Sequence, residues 1–182
     1  MNLLIIMIII IAIIIFIWYI SNYNKIKRAN IKVSESVSGI DVALTKRYDV
    51  LTKMVEGVKG YSKHENETLL NVVELRKDMD ISELKKANNS MNDSFDKINV
   101  IAEDYPELKA NENYMMLQKA IVDVEEHLQA ARRIYNASVL KYNQLILVFP
   151  TNIIAKNMGM SEKEFFEANE KEKENVDIKI DK

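Results

Sequence analysis

Residues 3–20, LLIIMIIIIAIIIFIWYI, are eighteen consecutive apolar or aromatic residues, of which eleven are Ile. As an α-helix that rises about 1.5 Å per residue, they span about 27 Å, close to the ~30 Å hydrocarbon core of a bilayer. A single segment has to be helical there, because lipid offers no partner for unpaired backbone groups. The stretch predicts a transmembrane anchor within residues 1–22, marked by Leu3, Ile10, Trp18, Tyr19 and Ile20.

The alternative to a retained anchor is a cleaved secretory signal peptide. Such a peptide has a basic first region, an apolar run of about 7–15 residues and a small-residue cleavage site. Here residues 1–2 carry no basic side chain, the apolar run is longer, and Ser21-Asn22-Tyr23 is a poor cleavage site. We therefore expect retention, with the aromatic rings at positions 18 and 19 at the headgroup level.

Basic residues lie on only one side of the anchor. None precedes it, and Lys25, Lys27, Arg28 and Lys32 follow it. Positive flanks stay on the cytoplasmic side, so the sequence predicts a single-pass protein of the cell membrane with its N-terminus outside and its body in the cytoplasm. These residues can also contact anionic headgroups, although a role in topology alone explains them.

Composition limits the classes of function. About 160 residues outside the anchor are enough for one domain with a sizeable core. Lys and Arg number 25 against 27 Asp and Glu, so no basic surplus indicates a nucleic-acid partner. The chain has no Cys, which excludes disulfides, thiolate metal sites and Cys nucleophiles. Four Gly and two Pro indicate long helices with few turns.

Apolar residues at spacings of three and four predict helices after the anchor. No breaker follows Tyr23, and the sequence leaves open whether the anchor and the first body helix are one unbroken helix. The stripe of this body helix becomes regular from Ile40 to Val58 and includes Tyr48. Capping boxes at Ser62/Glu65 and Asp80/Glu83 predict the next two helices. The third carries Leu84, Met91, Phe95, Ile98 and Tyr105 and stops before Pro106. Its weak stretch, residues 87–90, is where an interruption of this helix could occur.

The fourth helix has the clearest pattern, over about residues 113–149. Its stripe persists for about four heptads, as in a coiled coil or helix bundle, and Glu125, Glu126, Arg132 and Arg133 are expected off the stripe. Pro150 stops it, Ser161 and Glu164 suggest a further capping box, and residues 167–182 are predicted to be a charged, mobile tail. The stripe comprises Tyr114, Leu117, Ile121, Val124, Leu128, Ala131, Tyr135, Val139 and Tyr142.

Motifs for catalysis or metal binding are missing from the sequence. His64-Glu65 begins like a zinc motif, but position 68 is Thr, and Val124 stands where a di-metal motif would place Glu before His127. Phosphate loops, nucleophile elbows and dinucleotide fingerprints are also missing. We expect no cofactor and no enzymatic activity.

One charged cluster has two interpretations: Asp41, Lys46, Arg47, Tyr48 and Asp49. Lys46 and Asp49 share a helix face, so the cluster fits surface ion pairs, each contributing a few tenths of a kcal/mol. The alternative is a polar recognition patch near the membrane end of the body.

Several short motifs follow one another along the chain: IDVALTKRYD (40–49), VKGYSKHE (58–65), YPELKA (105–110), LQ (117–118), ARRIYN (131–136), YN (142–143), FP (149–150), Ala155 with Gly159, and FE (166–167). Together they resemble the bacterial LemA family, in the right order from about residue 23 to 167. Thr52-Lys53 stand where that family usually has Pro-Asn, which removes an expected helix kink. The resemblance implies an N-terminally anchored, antiparallel four-helix bundle over residues 23–166, an all-α architecture that the stripes also suggest.

These observations favour a non-enzymatic protein tethered to the lipid bilayer, whose body binds or positions a protein partner. Self-assembly into a homo-oligomeric membrane scaffold is an alternative hypothesis. An unrecognised metal-dependent enzyme is the third.

Overall fold

The computed structural model describes residues 2–59 and 79–167, and all regular structure in these ranges is helical. The all-α prediction is confirmed for this part of the chain. The helix expected after Ser62 and the tail beyond residue 167 lie outside the described residues. The helices are α1 (Asn2–Lys59), α2 (Ile81–Asp104), α3 (Pro106–Lys109), α4 (Glu112–Leu147) and α5 (Thr151–Asn157).

The chain divides into two compact units. Among the described residues, the first unit comprises residues 2–41 and 129–165, and the second comprises residues 42–59, 79–128 and 166–167. Each unit contains part of α1 and part of α4, because both helices continue from one unit into the other.

Helix α1 has two kinds of surface along its length. Residues 3–20 are exposed on every face, and this segment is long and apolar enough to cross a membrane. From Ile26 onward, one residue in every three or four is buried, and the helix continues without a break to Lys59. The apolar segment and the striped segment are thus one helix, a continuity that the sequence left open, and the buried stripe begins at Ile26, earlier than the sequence pattern predicted.

Helix α2 begins at the predicted capping box. The backbone N–H of Glu83 donates to Asp80 Oδ1 at 2.8 Å, and the backbone N–H of Asp80 donates to Glu83 Oε2 at 2.9 Å. Such caps contribute about 1 kcal/mol. The interruption predicted at residues 87–90 is wrong, because α2 is continuous there and both Ala87 and Asn88 are buried.

Local chemistry sets the boundary between α2 and α4. Tyr105, with φ −121° and ψ 85°, lies outside the helical region before Pro106. Pro106 begins the short α3 at a position where its missing N–H costs nothing. Asn111 then caps α4, since its Oδ1 accepts from the backbone N–H of Asn113 at 2.9 Å and of Tyr114 at 3.3 Å.

Helix α4 carries the predicted stripe, with two charged exceptions. Ile121, Leu128 and Val139 are buried as expected. Arg132, expected off the stripe, is also buried, and the Glu125 side chain is only about one-third exposed, at 34%. A charged side chain normally faces solvent, so the burial of Arg132 and the partial burial of Glu125 both differ from the sequence-based expectation.

After α5 the chain turns at Gly159, whose φ of 65° is readily adopted by glycine. The N–H of Met160 donates to the Ala155 carbonyl, and the N–H of Gly159 to the Lys156 carbonyl, each at 3.1 Å. This pair of bonds is a Schellman motif. The further helix predicted from Ser161 is not found in residues 160–167, which are non-helical.

Candidate functional site

A buried arginine links three helices of the second unit. Arg47 of α1 is 4% exposed. Its Nη1 donates to Asn88 Oδ1 of α2 at 2.7 Å, and its Nη2 lies 3.2 Å from Glu125 Oε2 of α4. These contacts define the Arg47 cluster.

The Arg47 cluster explains why polar residues occupy buried positions here. A guanidinium withdrawn from water is costly unless it is paired and hydrogen-bonded. Asn88 and Glu125 supply an amide oxygen and a carboxylate, so the charge is matched by partners on two other helices. The same contact accounts for the continuity of α2, since a tertiary hydrogen bond compensates for the weak helix propensity of Asn88.

The five residues of the predicted recognition patch have different environments. Arg47 is buried, Tyr48 is half-buried, and Lys46 and Asp49 are exposed. Asp41 is half-buried and belongs to the first unit. Lys46 and Asp49 do not form a salt bridge with each other in the described structure. A recognition role for these residues stays a prediction.

In the first unit, side chains of α4 hold the non-helical segment that follows α5. Tyr135 Oη donates to the Glu164 carbonyl at 2.8 Å, and Tyr142 Oη donates to the Ser161 carbonyl at 3.0 Å. Asn143 bonds twice to the backbone of Lys163, donating to its carbonyl at 2.9 Å and accepting from its N–H at 3.0 Å. We call Tyr135, Tyr142 and Asn143 the clasp.

The two clasp tyrosines act as neutral hydrogen-bond donors. Burial raises the pKa of Tyr135 above its ordinary value of 10.0, and the nearby Glu164 carboxylate raises it further. Burial also raises the pKa of Tyr142. Both hydroxyls therefore keep their protons at neutral pH, which indicates a structural role.

A polar cleft of about 430 Å³ lies in the second unit. Gln118 Nε2 donates to Asn99 Oδ1 at 3.2 Å and to Tyr114 Oη at 2.9 Å, so both amide protons are used internally. Burial raises the Tyr114 pKa, and the hydrogen bond from Gln118 partly offsets this effect. The lining comprises Asn99, Ala102, Glu103, Lys109, Tyr114, Met115 and Gln118.

A larger groove, of about 760 Å³, lies between α1 and α4 in the first unit. It begins on α1 at Ser21, directly after the apolar segment, and reaches Lys32. Its α4 side extends from Ile134 to Leu145. Lys25, Arg28, Lys32 and Lys141 give it a basic rim, and Lys32 also pairs with Glu35 at 2.9 Å.

Within residues 2–59 and 79–167, no group of three or more His, Cys, Asp or Glu side chains is arranged to hold a metal. His127 is exposed on α4, and His64 lies outside the described residues.

Sequence reasoning missed the tertiary partners of the polar residues. Asn88, in the middle of a helix, was a signal, because a buried polar residue at a helical core position requires a partner. Tyr135 and Tyr142, seven residues apart, were recognised as core positions, but no pattern indicated that their hydroxyls bind backbone carbonyls 29 and 19 residues later, respectively.

Comparisons with known proteins identify the family. The LemA family model matches residues 36–180. The chain is 30% identical over 164 residues to Protein LemA of Metamycoplasma hominis, covering 87% of this chain and 75% of that protein. It is also 26% identical over 80 residues to Magnetosome protein MamQ of Magnetospirillum gryphiswaldense, covering 44% of this chain and 29% of that protein. The chain belongs to the LemA family.

Proposed function

We propose that this chain is a single-pass, non-enzymatic membrane protein whose helical body binds or positions a protein partner at the cytoplasmic face of the cell membrane. The observation that carries the proposal is the continuity of α1. The segment exposed on all faces and the helix with a buried stripe are one uninterrupted element, so the body is attached to the bilayer by a helix.

An antiparallel bundle is the arrangement we propose for the body. Contacts within each unit support the pairing of α1 with α4. Arg47 of α1 meets Glu125 of α4 in the second unit, and residues 21–32 share a groove with residues 134–145 in the first. The antiparallel direction is the one that the resemblance to the LemA family implies.

The N-terminus is proposed to lie outside the cell, because basic residues occur only on the C-terminal flank of the anchor. The absence of Cys makes this easy to test, since one introduced thiol is unique. With a membrane-impermeant maleimide on intact cells, Asn2→Cys, which precedes the apolar stretch, is expected to react and Ser38→Cys to react only after permeabilisation. The reverse pattern would show that the orientation is wrong.

The proposed partner surface lies on α4 of the second unit. Met115 and Val122 are seven residues apart, which places them on the same helix face, and they are 46% and 55% exposed. Met115 also lines the polar cleft. Flexible Met beside polar groups is typical of surfaces that bind other proteins.

The proposal is tested by photo-crosslinking in cells that express the full chain. A photoreactive side chain at Val122 is expected to give one discrete product, and the same group at exposed Lys53 of the second unit is the control. A product from Val122 alone supports a specific partner. Equal crosslinking at both positions, or none at Val122, contradicts it.

The crosslinking experiment and a metal analysis of the purified protein separate the alternatives. A product of twice the chain mass favours self-assembly into a membrane scaffold. Stoichiometric zinc or iron in the purified full chain favours a metal-dependent enzyme. Either result would replace the proposed partner-binding role.

A further inference from the structure

The longest uncharged stretch after the anchor is residues 142–155, YNQLILVFPTNIIA, in a chain with 29% charged residues. It contains the end of α4, the turn at Pro150 and most of α5. Lys141 and Lys156 flank it, and both are exposed.

Part of this stretch packs against the protein, and part does not. Ile146, Ile154 and Ala155 are buried. Leu147, Val148, Phe149 and Ile153 are 54%, 58%, 74% and 55% exposed, and we call these four residues the apolar turn. Phe149 is more exposed than any large apolar residue of the anchor except Leu3. Exposing these four neighbouring apolar side chains to water is unfavourable, and such patches often mark a contact site.

The basic groove places the apolar turn close to the anchor. Leu145, two residues before the turn, lines the same groove as Ser21, the first residue after the anchor. The groove side of α1 covers eleven helical steps, about 16 Å at 1.5 Å per residue. With α4 antiparallel to α1, Leu145 lies at the Ser21 end, and the apolar turn lies level with the last turn of the anchor.

That level is the boundary between hydrocarbon and headgroups, whose polar layer is about 5–8 Å thick on each side. Apolar side chains there find a partner in the upper acyl chains. Lys141 and Lys156 on either side of the turn, and Lys25 in the groove, can reach anionic phosphates while their alkyl stems lie along apolar surface.

We propose that the apolar turn enters the headgroup layer of the bilayer that holds the anchor and forms a second membrane contact of the first unit. This inference rests on the proposed anchoring and antiparallel order. An ordinary protein partner or a second copy fits less well, since it would have to occupy the same headgroup layer.

The test uses the full chain in liposomes of phosphatidylcholine and phosphatidylglycerol, with one nitroxide label on an introduced thiol. Phe149→Cys reports on the apolar turn, and Val148→Cys repeats the measurement. Ile10→Cys is the bilayer control. Ile31→Cys is the aqueous control, because it is 64% exposed and lies about 16 Å beyond Ile20 on the same helix. Collisions with oxygen, which concentrates in lipid, are compared with collisions with a polar nickel complex.

The oxygen-to-nickel collision ratio at Phe149 and Val148 is expected to be severalfold higher than the ratio at Ile31. It is also expected to be lower than the ratio at Ile10. If the ratio at both turn positions equals that at Ile31 while the ratio at Ile10 is that of the bilayer interior, the proposed second membrane contact is wrong and the anchor is unaffected. Exclusion of both reagents at the turn indicates a protein contact and also overturns it. An aqueous ratio at Ile10 overturns the anchor itself.

Discussion

The two halves of α1 differ in what surrounds them, although they form one helix. Residues 3–20 expose apolar side chains in every direction, whereas between Ile26 and Val58 burial recurs at every third or fourth position. The changeover takes five residues, 21–25. An α-helix that is apolar all round suits lipid, and one with a single apolar stripe suits a protein interior bounded by water.

The two halves of α1 differ in whether they contribute to the folded core. The first half contributes nothing to the described protein core, since none of its side chains is buried. The second half supplies Arg47 and the stripe to the core. Substitutions in the first half are therefore expected to change how the protein distributes between the membrane and soluble fractions. Substitutions in the second half are expected to change the free energy of unfolding.

The largest effect is expected for the anchor. The double substitution Ile10→Lys and Ile14→Lys places two charges near the bilayer centre, each unfavourable by about 2.5–3.5 kcal/mol. We expect most of the protein to move from the membrane to the soluble fraction. Fractionation with a carbonate wash measures this. Ile31→Lys, exposed on the same helix beyond the anchor, is the control, and membrane retention of the double variant would contradict the assignment.

The next effect is expected at the Arg47 cluster. Arg47→Met removes the cation and leaves Asn88 and Glu125 without their charged partner, and we expect a loss of about 2–3 kcal/mol in the free energy of unfolding. This is below the cost for a fully buried pair, because the Glu125 side chain is one-third exposed. Denaturant titration of the full chain in detergent measures it.

The adjacent Lys46→Met is the matched control for Arg47. Lys46 is exposed, so its substitution is expected to change the free energy of unfolding by less than about 0.5 kcal/mol. Glu125→Gln in the Arg47→Met background is expected to recover part of the loss, because it removes the uncompensated carboxylate. Equal stability of the two Met variants would show that Arg47 has no structural role.

A smaller effect is expected at the clasp. Tyr135→Phe and Tyr142→Phe each remove one hydrogen bond to a backbone carbonyl, and each is expected to reduce the free energy of unfolding by about 0.5–1.5 kcal/mol. Asn143 still holds Lys163 in both variants, so the segment is expected to remain attached. Thermal unfolding of the single and double variants measures the effect.

The clasp also predicts a response to alkaline pH. Both tyrosines have a pKa in the folded state above the ordinary value of 10.0, so above about pH 10 the unfolded chain loses protons that the folded chain retains. Their contribution to stability is complete below about pH 10 and falls as the pH rises through the folded-state pKa values. The free energy of unfolding, measured from pH 8 to 12, is expected to fall less steeply with pH in the double Phe variant than in the unmodified chain. Identical slopes would contradict this role.

The smallest effect on folding is expected at the apolar turn. Phe149→Ser replaces a side chain that is 74% exposed, so the free energy of unfolding in detergent is expected to change by less than about 0.5 kcal/mol. A loss comparable to that of Arg47→Met would show that Phe149 packs against the protein, and the proposed membrane contact would lose its basis.

The sequence predicted the elements well because their signals are local. Eighteen apolar residues predict the anchor, and the Asp80/Glu83 spacing predicts a cap that forms with both bonds. The break expected near Asn88 and the helix expected after Ser161 failed for tertiary reasons. Arg47 supports the first position, and the clasp binds the backbone at the second.

The interior position of Arg47 was the least predictable feature. Tyr48, beside it, continues the apolar stripe and was therefore expected to face the core, yet it is half-buried while Arg47 is buried. A charge is normally exposed, and only the placement of Glu125 on another helix reverses that expectation. Such a partner, 78 residues away in sequence, cannot be found from local spacing.

We infer that one unbroken helix passes from the bilayer into the body. Spin labels at Ile10→Cys and Ile31→Cys, both exposed positions of the first unit, test it in the liposome-reconstituted full chain by pulsed electron resonance. Twenty-one helical steps predict a separation of about 31 Å between the two Cα atoms, and a narrow distribution of label distances around that value. A broad distribution, or one centred well below that value, would show a hinge after the anchor and contradict the account.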